Sequence, residues 1–398
     1  MQIEYSATED VRSAISRLGR TEDVQFSPDG RRLAVTAFNE NRLLVLGIEA
    51  SSDAEPATIA ITTWLELESD ALQQPHGISW IDERTIVVAN RNGQLAMFEL
   101  PREPTSGSIS LAPVKTLGTD TSDLLKTPGS VSTVAAGADL IEFVVCNNYV
   151  HHVSRHLIDR RNGYAPIVSE ILIRDGVTVP DGVAHSRCGR WIAISNHGHH
   201  NVLLFRNDRD LGPRTRPQAV LTGMNYPHGV HFAENGRSIL VADAGAPFVH
   251  FYRSAAEWTG EHRPETSIQV LTDESFRRGN KDPTTGGPKG IDVTVDGRVM
   301  VVTCQEQPIA FFDLKESIAP RQVTVPDDAS EAEVARESIL RYMAFDQLRM
   351  DEAAAAIRRA NEFEMDILTH SRSWRITAPL RWAAAASRKV TPRWMGKH

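Results

Sequence analysis

The sequence predicts an all-β fold: a six-bladed β-propeller with a short N-terminal helix and a C-terminal α-helical extension. Three observations predict it. A short phrase recurs six times at a spacing near fifty residues, a tight-turn pair follows most copies, and Asp327 to Leu368 has almost no Gly or Pro. A period of that size with several short strands per unit belongs to propeller blades.

The phrase is Pro-x-Gly followed by a β-branched residue. Its clear copies are Pro75-His76-Gly77-Ile78, Pro180-Asp181-Gly182-Val183, Pro227-His228-Gly229-Val230 and Pro288-Lys289-Gly290-Ile291. Weaker copies are Thr21-Glu22-Asp23-Val24 and Pro128-Gly129-Ser130-Val131. From Val24 through Ile78, Val131, Val183 and Val230 to Ile291 the steps are 54, 53, 52, 47 and 61 residues. Blade five shows how a copy becomes a sheet. Gly229 to Phe232 alternates and reads as the inner strand. Asn235-Gly236 supplies the hairpin, since both residues tolerate the positive φ such turns need. Ser238 to Ala242 is an apolar run suited to burial on both faces. Phe248 to Tyr252 and Ser267 to Leu271 complete the four strands. A single blade cannot cover its own faces, so neighbours must pack and the ring must close.

The expected organisation is residues 1–20 for a helix and ring closure, 21–326 for the propeller, and 327–398 for a helical extension with a basic, Trp-rich tail. Thr8 to Leu18 has helical spacing with a capping Thr or Ser at its start, and is expected to plug one end of the channel. Gln2 to Tyr5 can add the strand that closes the ring. Beyond the ring, Ser330 with Glu333 forms a capping-box pattern, and Val334, Ile339, Leu340, Met343 and Leu348 recur at helical intervals.

Composition narrows the function. The chain has 398 residues, 41% of them hydrophobic, and a net charge of −8, which argues against nucleic acid as a partner. The acidity is uneven: Ser371 to His398 holds seven basic residues and no acidic one. Three scattered cysteines make neither a disulfide framework nor a zinc knuckle. The first residues lack a basic patch and an apolar core, and no apolar run reaches the roughly 20 residues of a bilayer span. The expected location is the cytoplasm, with peripheral contact at the inner membrane through the tail.

The phrase, followed by a hairpin and Val241-Ala242-Asp243, resembles the NHL and YVTN classes of propeller repeat. It is also similar to the gluconolactonase-like six-bladed enzymes. The resemblance spans roughly residues 20 to 325 and implies architecture more than activity, because these folds host hydrolases, lyases and binding platforms.

In a propeller, the loop entering the inner strand and the loop leaving the second strand open on one face. The entering position reads Glu22, His76, Gly129, Asp181, His228, Lys289. Its charged and imidazole side chains are the expected contacts for a small polar ligand at the channel mouth. The leaving position reads Ala37, Asn90, Asn147, Asn196, Asp243, Cys304. Asn and Asp there serve equally well as local Asx-turn acceptors. Ten of the 14 histidines lie between His151 and His250. His151-His152 and His197-Gly198-His199-His200 follow the second strand in adjacent blades, and with Asp181 and His228 they suggest an imidazole–carboxylate metal site. Otherwise they are surface loop histidines.

The gluconolactonase resemblance implies a divalent metal. Glu22 takes its glutamate role, Asn147 or Asn196 the neutral oxygen, and Asp243 the remaining carboxylate. With His200 added from the histidine cluster, the candidate metal set is Glu22, Asn147, Asn196, His200 and Asp243, for Ca²⁺ or Zn²⁺. Such a metal would polarise a lactone carbonyl. Lys289 departs from that pattern.

The segment Ser371-Arg372-Ser373-Trp374-Arg375-Ile376-Thr377-Ala378-Pro379-Leu380-Arg381 resembles a tail motif of bacterial glycosyltransferases and other proteins of cell-surface polysaccharide assembly. It implies polysaccharide-biosynthesis enzymes as company. Its mixture of Trp, Arg and Lys suits a membrane surface, an acidic partner, or the chain's own acidic ring. Two functions follow: a ligand- or protein-binding module in surface-polysaccharide production, or a metal-dependent lactonase-like hydrolase acting at the channel.

Overall fold

The structure, a computed structural model, describes residues 1–51, 55–118 and 124–319. One compact unit runs from Met1 to Pro320. The expected helices after residue 327, and the basic tail, lie outside the described residues.

Six sheets form the ring. Each is built outward from an inner strand that carries the recurring phrase: Thr21–Phe26, Pro75–Trp80, Pro128–Ala135, Pro180–His185, Pro227–Ala233 and Ile291–Val293. The second strands are Arg32–Ala37, Thr85–Asn90, Leu140–Asn147, Trp191–Asn196, Ser238–Asp243 and Val299–Val302. Blade five matches the expected strands closely, with Phe248–Arg253 third and Thr266–Gln269 outermost. Its hairpin holds Glu234, Asn235 and Gly236 all at positive φ.

The blades cohere through apolar cores between neighbours. Leu65, Leu67, Ile78 and Val88 join blades one and two, for example, and Val144, Val153, Ile192 and Leu203 join three and four. Near the axis the inner strands are laced by side chains. Asp23 accepts from the Ile78 amide at 2.9 Å, Ser79 from Thr133 at 3.1 Å, Ser132 from His185 at 3.0 Å, and Asp292 from Phe26 at 2.7 Å.

The recurring glycine has a steric reason. A Cβ at Gly182 would lie 2.0 Å from the His228 carbonyl oxygen, and one at Gly229 would lie 2.3 Å from that of Lys289. Each blade's inner strand thus runs against the backbone of the next, and only glycine leaves the room.

The N-terminus closes the ring. Gln2–Ile3 pairs antiparallel with Phe311 and Phe312 and becomes the outer strand of blade six. The chain continues into blade one, where Tyr5–Ala7 pairs parallel with Ile59 to Ile61. The helix follows at Glu9–Ser16, with the Thr8 hydroxyl capping the Val11 amide. It does not plug the channel. Val11, Ala14 and Ile15 are buried with Leu33, Val35, Ile59 and Phe311 in the core between blades six and one. Its apolar stripe had to be covered, and that seam offered the cover.

Candidate functional site

Residues at the entering position converge because of a recurring irregularity. The ladder between the first and second strands slips between Thr21 and Val24, Pro75 and Gly77, Pro128 and Ser130, Pro180 and Val183, and Pro227 and Val230. A bulge re-aims the side chain it carries. Here it turns Glu22, His76, Asp181 and His228 onto the axis, where all four line one cavity.

That cavity is the central channel, about 790 Å³ in volume. Its other end is rimmed by the exposed hairpin residues Pro28, Arg187 and Val295. The cluster itself is buried: His76 is 2% exposed, Asp181 5% and His228 7%. It is therefore the floor of a blind channel, where the sequence suggested an open mouth. Lys289 stands behind the floor. Its Nζ lies 2.8 Å from both carboxylate oxygens of Glu22, so it neutralises that buried charge and does not line the cavity. Gly129 contributes backbone only.

The floor is a dense polar network. His228 Nε2 is 3.3 Å from Glu22 Oε2 and 3.3 Å from Asp181 Oδ2. His76 Nε2 is 3.5 Å from Glu22 Oε2 and 4.0 Å from Asp181 Oδ1. His76 Nδ1 lies 2.6 Å from the Gly129 carbonyl oxygen. A carbonyl can only accept, so Nδ1 carries the proton and Nε2 presents a lone pair. Arg91 and Arg20 pair with His76 Nε2 and Glu22 respectively.

Burial drives His76 down to about 3, with the nearby Arg91 adding to the effect, so this imidazole is neutral. Burial pulls the other way on the acids. For Glu22 it is outweighed chiefly by Lys289, and for Asp181 by His228 and Arg91, so both carboxyls sit well below their usual range. Asp23, on the channel wall near Asp292, is pushed up to about 7 by burial, against the two amides that donate to it.

The leaving-position residues do not reach the channel. Asn90 Oδ1 accepts from the Gln73 amide at 2.9 Å, Asn147 from Lys126 at 2.9 Å, and Asn196 from Thr178 at 2.7 Å. Asp243 accepts from Asn225 at 2.7 Å and Tyr226 at 2.9 Å. Each donor stands one or two residues before the next inner strand, so these side chains latch the entering loop. His151 and His200 do occupy equivalent places, each ending a one-turn 3₁₀ segment at left-handed φ, but they bond to the following loop at Val179 and Asn225. The five residues Glu22, Asn147, Asn196, His200 and Asp243 are therefore not gathered into one set of metal ligands. Cys304 and Ala37 make no comparable latch.

The residue one step further along instead backs the floor cluster, touching His76 and Asp181 without lining the cavity itself. Phe38 packs edge-on against His76 at 5.8 Å between ring centroids. Arg91 lies 3.8 Å from Asp181, and Asn148 Nδ2 donates to Asp181 Oδ1 at 2.5 Å. His197 Nδ1 is 3.8 Å from Asp181 Oδ2. Sequence reasoning named His197 of this ring, within the histidine cluster set beside Asp181 and His228, but passed over Phe38, Arg91 and Asn148, although all follow directly from the position after each second strand. Asn148 even fills the space that a side chain at position 129 would take: a Cβ on Gly129 would lie 1.9 Å from its Oδ1.

Comparison with known proteins adds little beyond architecture. Residues 2–137 match the family described as Lipoprotein LpqB beta-propeller domain. No curated protein matches the chain. Among similar solved structures is one titled "Crystal Structure of Mitotic Checkpoint Complex", with 10% identity, 75% of this chain and 76% of that chain covered, and a TM-score of 0.46. The chain is a six-bladed β-propeller whose N-terminal third is similar to that lipoprotein propeller family.

Proposed function

We propose that the protein is a binding module that takes a small, polar, hydroxyl-bearing molecule into its blind channel. One observation carries this reading: Glu22, His76, Asp181 and His228, from four blades, meet at the closed end of a cavity of about 790 Å³. That volume falls in the range of small-molecule sites. Ser79, Ser132 and Thr133 supply hydroxyls along the wall, and His185 and His231 add imidazoles. A sugar or sugar acid matches this lining in size and polarity. The tail resemblance supports a setting in surface-polysaccharide production, with glycan-building enzymes or a membrane surface contacted through residues 371–398.

Calorimetric titration of the full chain with hexoses, uronic acids and their lactones tests the reading. A binder whose affinity is lost in Asp181→Asn supports it, as does an unchanged affinity in Val114→Ser, an exposed position. A panel with no binder, or one bound equally by Asp181→Asn, removes it. Lactone turnover in the same panel would favour the hydrolase reading instead.

A further inference from the structure

Four atoms of metal-ligating type converge at the channel floor from four blades: Glu22 Oε2, His76 Nε2, Asp181 Oδ2 and His228 Nε2. His76 Nδ1 is committed to the Gly129 carbonyl, so the Nε2 lone pair points at Glu22 Oε2, 3.5 Å away. Arg91 and Lys289 each engage one of these two atoms from outside the pair, and a cation between them would bind both at once. His228 Nε2 stands 3.3 Å from Glu22 Oε2 and 3.3 Å from Asp181 Oδ2, two acceptors for one ring nitrogen. Beside them, the acceptor Asn148 Oδ1 is buried with no hydrogen-bond partner. A buried acceptor of this kind marks a missing neighbour.

From this geometry we infer a divalent transition-metal site formed by Glu22 Oε2, His76 Nε2 and His228 Nε2, with Asp181 Oδ2 as fourth ligand. The three principal ligand atoms lie within 4.8 Å of one another. A tetrahedral ion with bonds of about 2.0–2.1 Å spaces its ligand atoms about 3.3–3.4 Å apart, which matches the separations from His228 and His76 to Glu22. The supporting contacts are those a metal site uses to aim its ligands. Gly129 orients the His76 ring, Lys289 and Arg20 hold Glu22, and Asn148 holds Asp181 through its other oxygen. The ion takes the place of the proton shared between His228 and the carboxylates. Arg91, now on His76 Nε2, moves toward Asp181, 3.8 Å away. Two imidazoles and two carboxylates suit zinc, manganese, cobalt or iron better than calcium, which prefers six or more oxygens. All four ligands line the channel, so the ion faces the cavity. The site goes beyond the ligand reading and does not depend on it, because no sugar is needed for the ion to bind.

The test uses the full chain stripped with chelator and titrated with Zn²⁺, Co²⁺, Mn²⁺ or Ca²⁺ alone. The expected result is one transition-metal ion per chain, bound more tightly than Ca²⁺. His76→Gln and His228→Gln should each weaken it by more than the roughly 10–100-fold that losing an outer-shell partner costs. His151→Gln and His200→Gln should leave it unchanged. A second measurement needs no variant: imidazole ¹⁵N signals of the wild-type chain should shift at Nε2 of His76 and His228 as Zn²⁺ is added. Failure of every ion to bind stoichiometrically, preference for Ca²⁺, or Zn²⁺ bound without perturbing those two nitrogens would overturn the assignment.

Discussion

Lys289 and Glu22 are 267 positions apart, yet Lys289 Nζ sits 2.8 Å from both oxygens of the Glu22 carboxylate. The pair is almost wholly buried and joins the last blade to the first. It therefore bridges the seam that the N-terminal strand also closes.

Breaking one side of that pair should cost far more than removing both. Lys289→Met leaves a buried carboxylate without its main cation, and such orphaned charges typically cost about 3–5 kcal/mol. The double variant Lys289→Met/Glu22→Gln should recover a large part of that loss. Urea denaturation compares the two, and a double variant no better than the single would show that the pair's charge is not what matters.

The inner-strand glycines should be intolerant where the neighbouring blade approaches. Gly229→Ala puts a Cβ 2.3 Å from the Lys289 carbonyl oxygen and should cost on the order of 1–3 kcal/mol or more through overpacking. Gly212→Ala meets nothing within 4 Å and needs no left-handed backbone, so it should be neutral or stabilise by up to about 1 kcal/mol. Thermal melts of the two variants separate the effects, and equal melting temperatures would refute the close-approach explanation.

Asp243 should report its charge through pH. Burial alone would raise its carboxyl, but His250 and the amides of Asn225 and Tyr226 outweigh burial and hold it below 3.8. A carboxyl lowered in the folded state stabilises above its unfolded value, and that contribution disappears as pH falls through the folded value. Asp243→Asn keeps an acceptor for the latch, as Asn90, Asn147 and Asn196 do in other blades. The variant should be less stable than wild type by roughly 1–1.5 kcal/mol near neutrality, the difference between charge-assisted and neutral hydrogen bonds. The difference should shrink toward zero in strong acid. A gap that stays constant with pH would mean the carboxylate's charge contributes nothing.

Removing residues 1–7 should open the ring at blade six. The deletion exposes the edge of Ala310–Asp313, unpairs Phe311 and Phe312, and uncovers part of the core that holds Ile3. Bare strand edges also promote association. A lower melting temperature together with concentration-dependent light scattering is the expected outcome. A shortened chain that melts like the full one would show that the outer strand of blade six is dispensable.

Much of the molecule was legible in the chain itself. The spacing of Val24, Ile78, Val131, Val183, Val230 and Ile291 declared six equivalent units, and equivalence in a ring places Glu22, His76, Asp181 and His228 around one axis. What repetition leaves open is direction. A strand alternates its faces, so a single step decides whether a side chain meets the channel or the loop beside it. Asn147, Asn196 and Asp243 fell on the loop side, while Arg91, Asn148 and His197 turned inward to contact the floor residues His76 and Asp181. Only the packed ring revealed that the cluster is a floor with Lys289 behind it, because closure at one end depends on how six loops crowd together, and no local pattern encodes that crowding.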